Sequence, residues 1–280
     1  MCSVRRPPSS FVALITAVFV LASAAYAVAQ FRNRGFDMLG AGSGLAPAQF
    51  PDGDFVLCRL VYNEGRRFGQ GWRTDYPLGE RNLSVRFSEL TRTRVSKAPD
   101  GSPNQYLVRL TDDQLFSCPF LMAGDIGSIS LSAPDAARLR EYLLKGGFLW
   151  TDDMWGDDQW ETWTDELAKV FPPSEYPIED VTPADPIFRA QYVVKEMPQI
   201  PNIGYWRRSG GDTSEQGADS AVPVFRAVRD HHGRIMIAMT HNTDIADAFE
   251  REGDDPEFFR LFSPNGYALG INVLLHAMTH

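Results

Sequence analysis

The chain has 280 residues, 44% of them hydrophobic and 22% charged, with 23 Gly and 19 Pro. Such proportions exclude a collagen-like, coiled-coil or wholly disordered chain and fit a globular one. The net charge of −9 repels phosphate backbones, so nucleic acid is not an expected partner.

The first 29 residues read as an export signal. Arg5 and Arg6 precede an apolar run from Phe11 to Ala22, and Ala25-Tyr26-Ala27 and Ala27-Val28-Ala29 offer small-x-small cleavage sites. Processing after Ala29 removes two arginines and no acid, which takes the charge from −9 to −11. The alternative is an uncleaved anchor, since Phe11 to Ala29 is long enough to span a bilayer. Either outcome exports the domain to the periplasm or cell envelope, and contact with a membrane is expected only through this segment if it stays. Residues 30–50, rich in Gly, Ala and Arg, read as a linker, and residues 51–280 as one α/β domain. Cys58 and Cys118 fall in apolar strand-like runs, where side chains on neighbouring strands rarely meet disulfide geometry, so both are expected as buried free thiols.

Along the domain, an apolar strand from Phe55 to Tyr62 runs into the polar loop NEGRRFGQGWRTDYP, which carries Arg66, Arg67, Trp72 and Arg73. A helix is predicted from Asn82 to about Val95, then strands at Gln105–Leu110 and Cys118–Ala123. Ser132-x-x-Asp135 predicts a capped helix with Ala136, Leu139 and Leu143 on one face, ended by Gly146-Gly147. Phe148–Thr151 is the next strand, and a helix opened by Asp157 or Asp158 carries Trp160, Trp163, Leu167 and Val170 before Pro172-Pro173 stops it. Strand and helix alternating in this way predict a doubly wound, mostly parallel sheet with helices on both faces. Val222–Val228 and Arg234–Thr240, separated by RDHHG, predict an antiparallel hairpin. The last helix is placed from about Pro264 to Met278. Residues 199–221 form the longest stretch without a pattern, a binding loop or a disordered one.

The segments QLFSCPFLMAGD, LREYLLKGGFLWTDD, GRIMIAMTHNTDIADAFE and GYALGINVLLHAM resemble the bacterial family catalogued as domain of unknown function 4159. The resemblance runs from about Asp54 to Met278 and includes Gly71-Trp72, Asp75-Tyr76-Pro77 and Asn82-Leu83. It implies a class I glutamine-amidotransferase-like fold of flavodoxin type, without an assigned activity. The C-terminal order is also similar to the trehalose-utilisation proteins of that superfamily, which nominates a carbohydrate as ligand by analogy. In amidotransferases of this fold a cysteine nucleophile occupies a sharp turn after a strand. Thr151-Asp152-Asp153 stand there in this chain, so glutaminase activity is not expected.

Asn63 and Glu64, Asp125, Asp152 and Asp153, and His241 with Asn242 and Asp244 all fall at carboxyl ends of predicted strands, where open α/β sheets bind ligands. The functional expectation is a hydroxyl-rich or cation-binding pocket whose carboxylates accept hydrogen bonds or coordinate a hard metal through oxygen, with a small polar ligand, a saccharide among the choices, as the leading reading, held by these residues and covered by Trp72 and Tyr76. Whether the domain is an enzyme stays open. In one alternative it is a carbohydrate-active hydrolase or isomerase with Asp152 and His241 as an acid–base pair. In another it is a scaffold with a protein partner in the cell envelope. The bland reading of the same residues is that each Asp caps a helix and His241 is a satisfied turn histidine. No cofactor is called for and no metal ligands are assigned, because Asp152 to Asp158 lacks the alternating spacing and closing glutamate of a calcium loop. His231 and His232 are expected as exposed turn residues, Trp160 and Trp163 as core, and Trp155 and Trp72 as exposed aromatics.

Overall fold

A computed structural model describes residues 43–65 and 69–280. The expected export signal, residues 30–42 of the expected linker, and Arg66 and Arg67 lie outside the described residues. Among the described residues ten strands alternate with six helices: β1 (Ser43–Leu45), β2 (Leu57–Val61), β3 (Asn63–Glu64), α1 (Leu78–Thr91), β4 (Gln105–Arg109), β5 (Phe120–Ala123), β6 (Ile129–Ser130), α2 (Ala133–Leu144), β7 (Phe148–Thr151), α3 (Gly156–Ala168), β8 (Ile178–Asp180), α4 (Ile203–Ser209), β9 (Val224–Arg229), β10 (Ile235–His241), α5 (Asp247–Glu250) and α6 (Pro256–Thr279).

Eight strands form one sheet in the order β1-β4-β2-β5-β7-β10-β9-β8. Pairing is parallel from β1 to β10 and antiparallel for β10 with β9 and β9 with β8. The fold is therefore the expected mixed α/β one, with a large parallel sheet and an antiparallel pair at its C-terminal side. β3 and β6 make a separate two-stranded antiparallel ladder. β1 was not foreseen. Ser43–Leu45 pair with Gln105–Leu107, so this part of the expected linker is an edge strand of the sheet.

The central strands β5, β7 and β10 are buried at every position, which is why they read as continuous apolar runs. Side chains alternate between the two faces. Leu57, Phe120, Met122, Phe148, Trp150 and Ala238 join one core cluster with Leu83 and Phe87 of α1 and Leu269 and Val273 of α6. On the other face, Met239 Sδ accepts a bond from Trp163 Nε1 of α3 at 3.2 Å, and Leu139 and Leu143 of α2 are buried. Helices thus cover both faces.

Local chemistry sets the boundaries. α2 begins with the predicted capping box of Ser132 and Asp135. α1 starts four residues earlier than expected, directly after Pro77, and ends at Arg92 in a left-handed conformation (φ 62°). α6 starts eight residues earlier than expected. Asp255 caps it by accepting from the N–H groups of Glu257 and Phe258, Pro256 takes the first helical position, and the helix then continues through Pro264. The β9–β10 hairpin is as predicted, with Asp230 accepting from the N–H groups of His232 and Arg234 in its turn. His231 and His232 are exposed there. Residues 199–221, left between binding loop and disorder, hold α4 and a short 3-10 turn at Gly217–Ser220. Asn202 caps α4, and Gln199 donates to the carbonyls of Ser220 and Asn242.

The cysteines correct the expectation of free thiols. Cys58 and Cys118 form a disulfide with Cα atoms 6.0 Å apart. Cys118 is not inside a strand: it follows the 3-10 turn Asp113–Ser117, and β5 starts only at Phe120. Freed from the sheet pleat, it turns toward Cys58 on the neighbouring β2. Among the described residues no helix is long and apolar enough to cross a membrane.

Candidate functional site

Among the described residues five non-glycine residues have positive φ: Asp125 (49°) follows β5, Asp153 (56°) follows β7, Asn242 (60°) follows β10, and Asp75 (64°) lies in the loop between β3 and α1. The fifth, Arg92, ends a helix. Left-handed backbone is uphill for any residue with a Cβ, and Asp and Asn tolerate it best because a short polar side chain can bond locally. Each of the four chain turns delivers a carboxylate or amide to the same edge of the sheet.

Most of these side chains anchor a loop with one atom. Asp125 Oδ2 accepts from Gly71 N at 2.7 Å, while Tyr62 donates its hydroxyl to the Gly124 and Asp125 carbonyls. Asp153 Oδ1 accepts from Trp155 Nε1 at 2.9 Å. Asp244 Oδ1 accepts from Asp247 N at 3.0 Å, and Asp247 Oδ2 from Ile203 N at 2.6 Å. Glu215, from the segment after α4, accepts from Asn202 N at 2.6 Å. Asp152 is different, because both oxygens are committed. Oδ1 accepts from the Thr240 hydroxyl of β10 and Oδ2 from Ala246 N at 2.8 Å. Fully buried, it ties the end of β7 to the loop after β10.

Electrostatics shows how closely the acids gather. Burial pushes Asp75, Asp153 and Asp244 well above the usual carboxylate range, and neighbouring acids push further: Asp247, Asp153 and Glu250 on Asp75; Asp125, Glu215 and Asp152 on Asp153; Asp75, Asp153, Asp247 and Asp152 on Asp244. Burial raises Asp125 and Asp152 to about 6, although the Gly71 N–H and the Thr240 hydroxyl respectively oppose it. Arg59 on β2 reaches toward this region. It is fully buried, its Nε donates to Glu80 of α1, and Nη1 and Nη2 have no partner. Burial works against its charge, but Glu80 and Asp75 outweigh that and hold its pKa above the ordinary value.

The structure brings Asp125, Asp152, Asp153 and Asp244 together and places the other expected residues elsewhere. Thr240 and His241 are successive residues of β10 and point to opposite faces, so Asp152, bonded to Thr240, and His241 do not meet as a pair. Arg226 Nη1 lies 2.8 Å from His241 Nδ1, and His241 Nε2 lies 3.1 Å from the Gly156 carbonyl. An arginine only donates, so Nδ1 accepts and the ring is neutral with its proton on Nε2. Burial and Arg226 lower the His241 pKa. Its ring stacks on Trp160 at 5.1 Å, and Arg226 lies over the same indole. Trp160 is thus half-buried beside His241 instead of a core residue.

Asn242 is a structural clamp, accepting from Gly156 N and donating to the Val222 carbonyl. Asn63 is exposed and lines a separate hollow of about 80 Å³ with Arg109, Ser130 and Asp135. Glu64, beside it on β3, lies against Gly71, where an added Cβ would collide with its carboxylate. Trp72 is buried with Arg73 over its ring, Trp155 is buried, and the Tyr76 hydroxyl turns to the Gln105 carbonyl of β4 at 3.5 Å.

Sequence reasoning missed Asp75, Asp247, Glu250, Glu215 and Arg59. A signal was present for two of them: Asp244, Asp247 and Glu250 recur every third residue, a helical spacing that sets acids on one face among the apolar residues of TDIADAFE. Arg59 gave none, because a lone arginine in an apolar strand reads as an interruption. A comparison with curated proteins finds no match. The model of the family described as "Domain of unknown function (DUF4159)" matches residues 56–278, and the chain belongs to that family.

Proposed function

We propose that this is an exported ligand-binding domain that holds a small, hydroxyl-rich molecule, a saccharide in the first instance, at the carboxyl edge of its sheet. The observation that carries this is the coincidence of Asp75, Asp125, Asp153 and Asn242, all left-handed, at that one edge. Sparsely populated backbone conformations gather where a site over-determines the chain. Asp125 and Asp153 each engage one oxygen in a protein hydrogen bond, which leaves an acceptor for a hydroxyl group. The class I amidotransferase-like superfamily is part of the same proposal: Asp153 turns sharply after β7, where such proteins carry their nucleophile. With a carboxylate there and His241 held on the opposite face, no glutaminase step is assigned. The buried disulfide supports export, since such bonds persist in oxidising compartments.

The test is thermal unfolding of the purified protein against a panel of mono- and disaccharides. A ligand selective for the native state raises the midpoint, and Asp153→Asn should abolish the rise. No shift with any sugar, or an undiminished shift in Asp153→Asn, sinks the saccharide reading. A second reading, a protein partner in the cell envelope, is favoured by the groove of about 420 Å³ between α1 and α6, where Leu90, Phe259 and Ile271 contribute to an apolar lining. Leu90→Asp with Phe259→Asp should then disrupt co-purification without changing the response to sugars.

A further inference from the structure

Among the described residues, the closest grouping of acids is a set that the sequence did not nominate as a site, although Asp75 stands in the family signature. Asp75, in the loop before α1, faces Asp247 and Glu250, three residues apart on α5, and one carboxylate oxygen from each lies within 4.8 Å of the others. Asp75 and Asp247 are 7% and 0% exposed. Among the described residues, Asp75 Oδ2, Asp247 Oδ1 and Glu250 Oε2 are buried and accept no hydrogen bond. Unpartnered carboxylate oxygens in a low-dielectric interior are costly, and three converging on one point need a shared counter-charge. The resident cation is Arg251, whose Nε lies 2.8 Å from Glu250 Oε2 and 3.5 Å from Asp247 Oδ1 without hydrogen-bond alignment. Arg59, which acts on Asp75, is already paired with Glu80, so when fully ionised the three carboxylates outnumber the one remaining guanidinium by two.

We propose that Asp75, Asp247 and Glu250 bind one hard divalent cation of calcium size. All three donors are carboxylate oxygens, the set that selects calcium, magnesium or manganese over softer metals. Oxygens on opposite sides of a calcium ion stand about 4.6–5.2 Å apart, so three oxygens all within 4.8 Å of one another can share one such ion, whereas magnesium keeps several waters and disfavours an all-protein cage. The ion would join the loop before α1 to helix α5. Asp75 is also one of the four left-handed residues behind the saccharide reading, but the cation site stands on the unpartnered buried oxygens and does not rest on that reading.

The experiment is isothermal titration of the EDTA-stripped protein with calcium, magnesium and manganese chlorides near neutral pH, beside thermal unfolding in each salt. The expected result is one calcium per chain, with a Kd in the range of about 10⁻⁵ to 10⁻³ M and magnesium weaker. Asp75→Asn and Glu250→Gln should each weaken binding about tenfold or more, whereas Asp165→Asn on the exposed side of α3 should not. Asp75→Asn removes a like charge and is expected to fold; should it not, Glu250→Gln carries the same test from a less buried position. No heat and no midpoint change at up to about 10 mM of all three ions overturns the site. Unchanged affinity in both variants overturns it equally. An ion response without a sugar response leaves the cation site standing and removes the saccharide, and the reverse removes the cation.

Discussion

Breaking the Cys58–Cys118 bond should be the most damaging single covalent change to this fold. The bond closes a loop spanning 60 residues, and the chain-entropy relation assigns such a loop about 4 kcal/mol at 25 °C. Both sulfurs are fully buried, so truncation to alanine adds a packing loss of roughly 1 kcal/mol per site. Cys58→Ala alone therefore costs about 5 kcal/mol, a large share of the roughly 5–15 kcal/mol that holds a domain folded. Adding Cys118→Ala costs only about 1 kcal/mol more, because the link is already gone. Urea unfolding followed by tryptophan fluorescence measures both variants against the oxidised protein. A loss below about 1 kcal/mol in Cys58→Ala would refute the entropy argument. Alkylation of the native, unreduced protein that labels Cys58 or Cys118 would refute the bond itself.

Asp152→Ala strands the Ala246 N–H in a dry interior and leaves the Thr240 hydroxyl only the Thr151 carbonyl, and should cost about 2 kcal/mol by urea unfolding; a loss under about 0.5 kcal/mol would mean the Ala246 N–H finds another partner. Glu80→Gln leaves the fully buried Arg59 charge without its counter-charge and should cost about 3–5 kcal/mol, whereas Arg59→Met with Glu80→Gln should cost less than either alone. A double-mutant cycle that comes out additive would show the pair to be uncoupled. Burial sets Asp125 and Asp152 at about 6, above their ordinary value of 3.8. Groups raised in the fold stabilise it fully below about pH 4 and lose that contribution as pH climbs through about 6, so the thermal midpoint in chelator should fall between pH 5 and pH 8. A flat or rising midpoint over that range contradicts the burial assigned to these acids. Asp153→Asn keeps an oxygen for Trp155 Nε1 while removing a charge from the cluster, so in chelator at pH 8 it should be at least as stable as the parent; Asp153→Ala, which also loses the bond, should be less stable than Asp153→Asn by about 1 kcal/mol.

The sheet was legible because its strands are short, apolar and bounded by turn residues. Phe148–Thr151 ends where its apolar run ends, and the RDHHG hairpin falls where Gly233 and Asp230 allow it. Most of the failures share one physical cause: they depended on a partner distant in sequence. Nothing local marks Ser43–Leu45 as a strand until β4 is there to pair with it. Cys118 looked like strand interior because its neighbours are apolar, yet Pro119 beside it already argued against a central strand position, and β5 starts only after that proline. Trp72 and Trp155 looked exposed because they flank polar loops, yet those loops fold back over the sheet edge and bury them. His241 was legible as a residue at the edge but not as one already satisfied, since Arg226 and Gly156 reach it from β9 and α3.

The two readings of the edge acids, as loop anchors or as ligand contacts, turn out not to compete. Asp125, Asp153, Asp244 and Asp247 each spend one oxygen on a backbone or indole N–H, and that bond fixes where the second oxygen points. Asp152 and Asn242, whose polar atoms are taken by the protein, mark the purely structural limit. Asp75, whose buried Oδ2 accepts nothing, marks the other. If structure alone were served, amides would do as well as acids at most of these positions, because the bonds in question need only an acceptor. Carboxylates instead accumulate charge in a buried place, at a cost that rises with every acid added. That cost is the physical reason to expect the edge to meet something that offsets it, a cation at Asp75, Asp247 and Glu250 or hydroxyl donors beside Asp125 and Asp153.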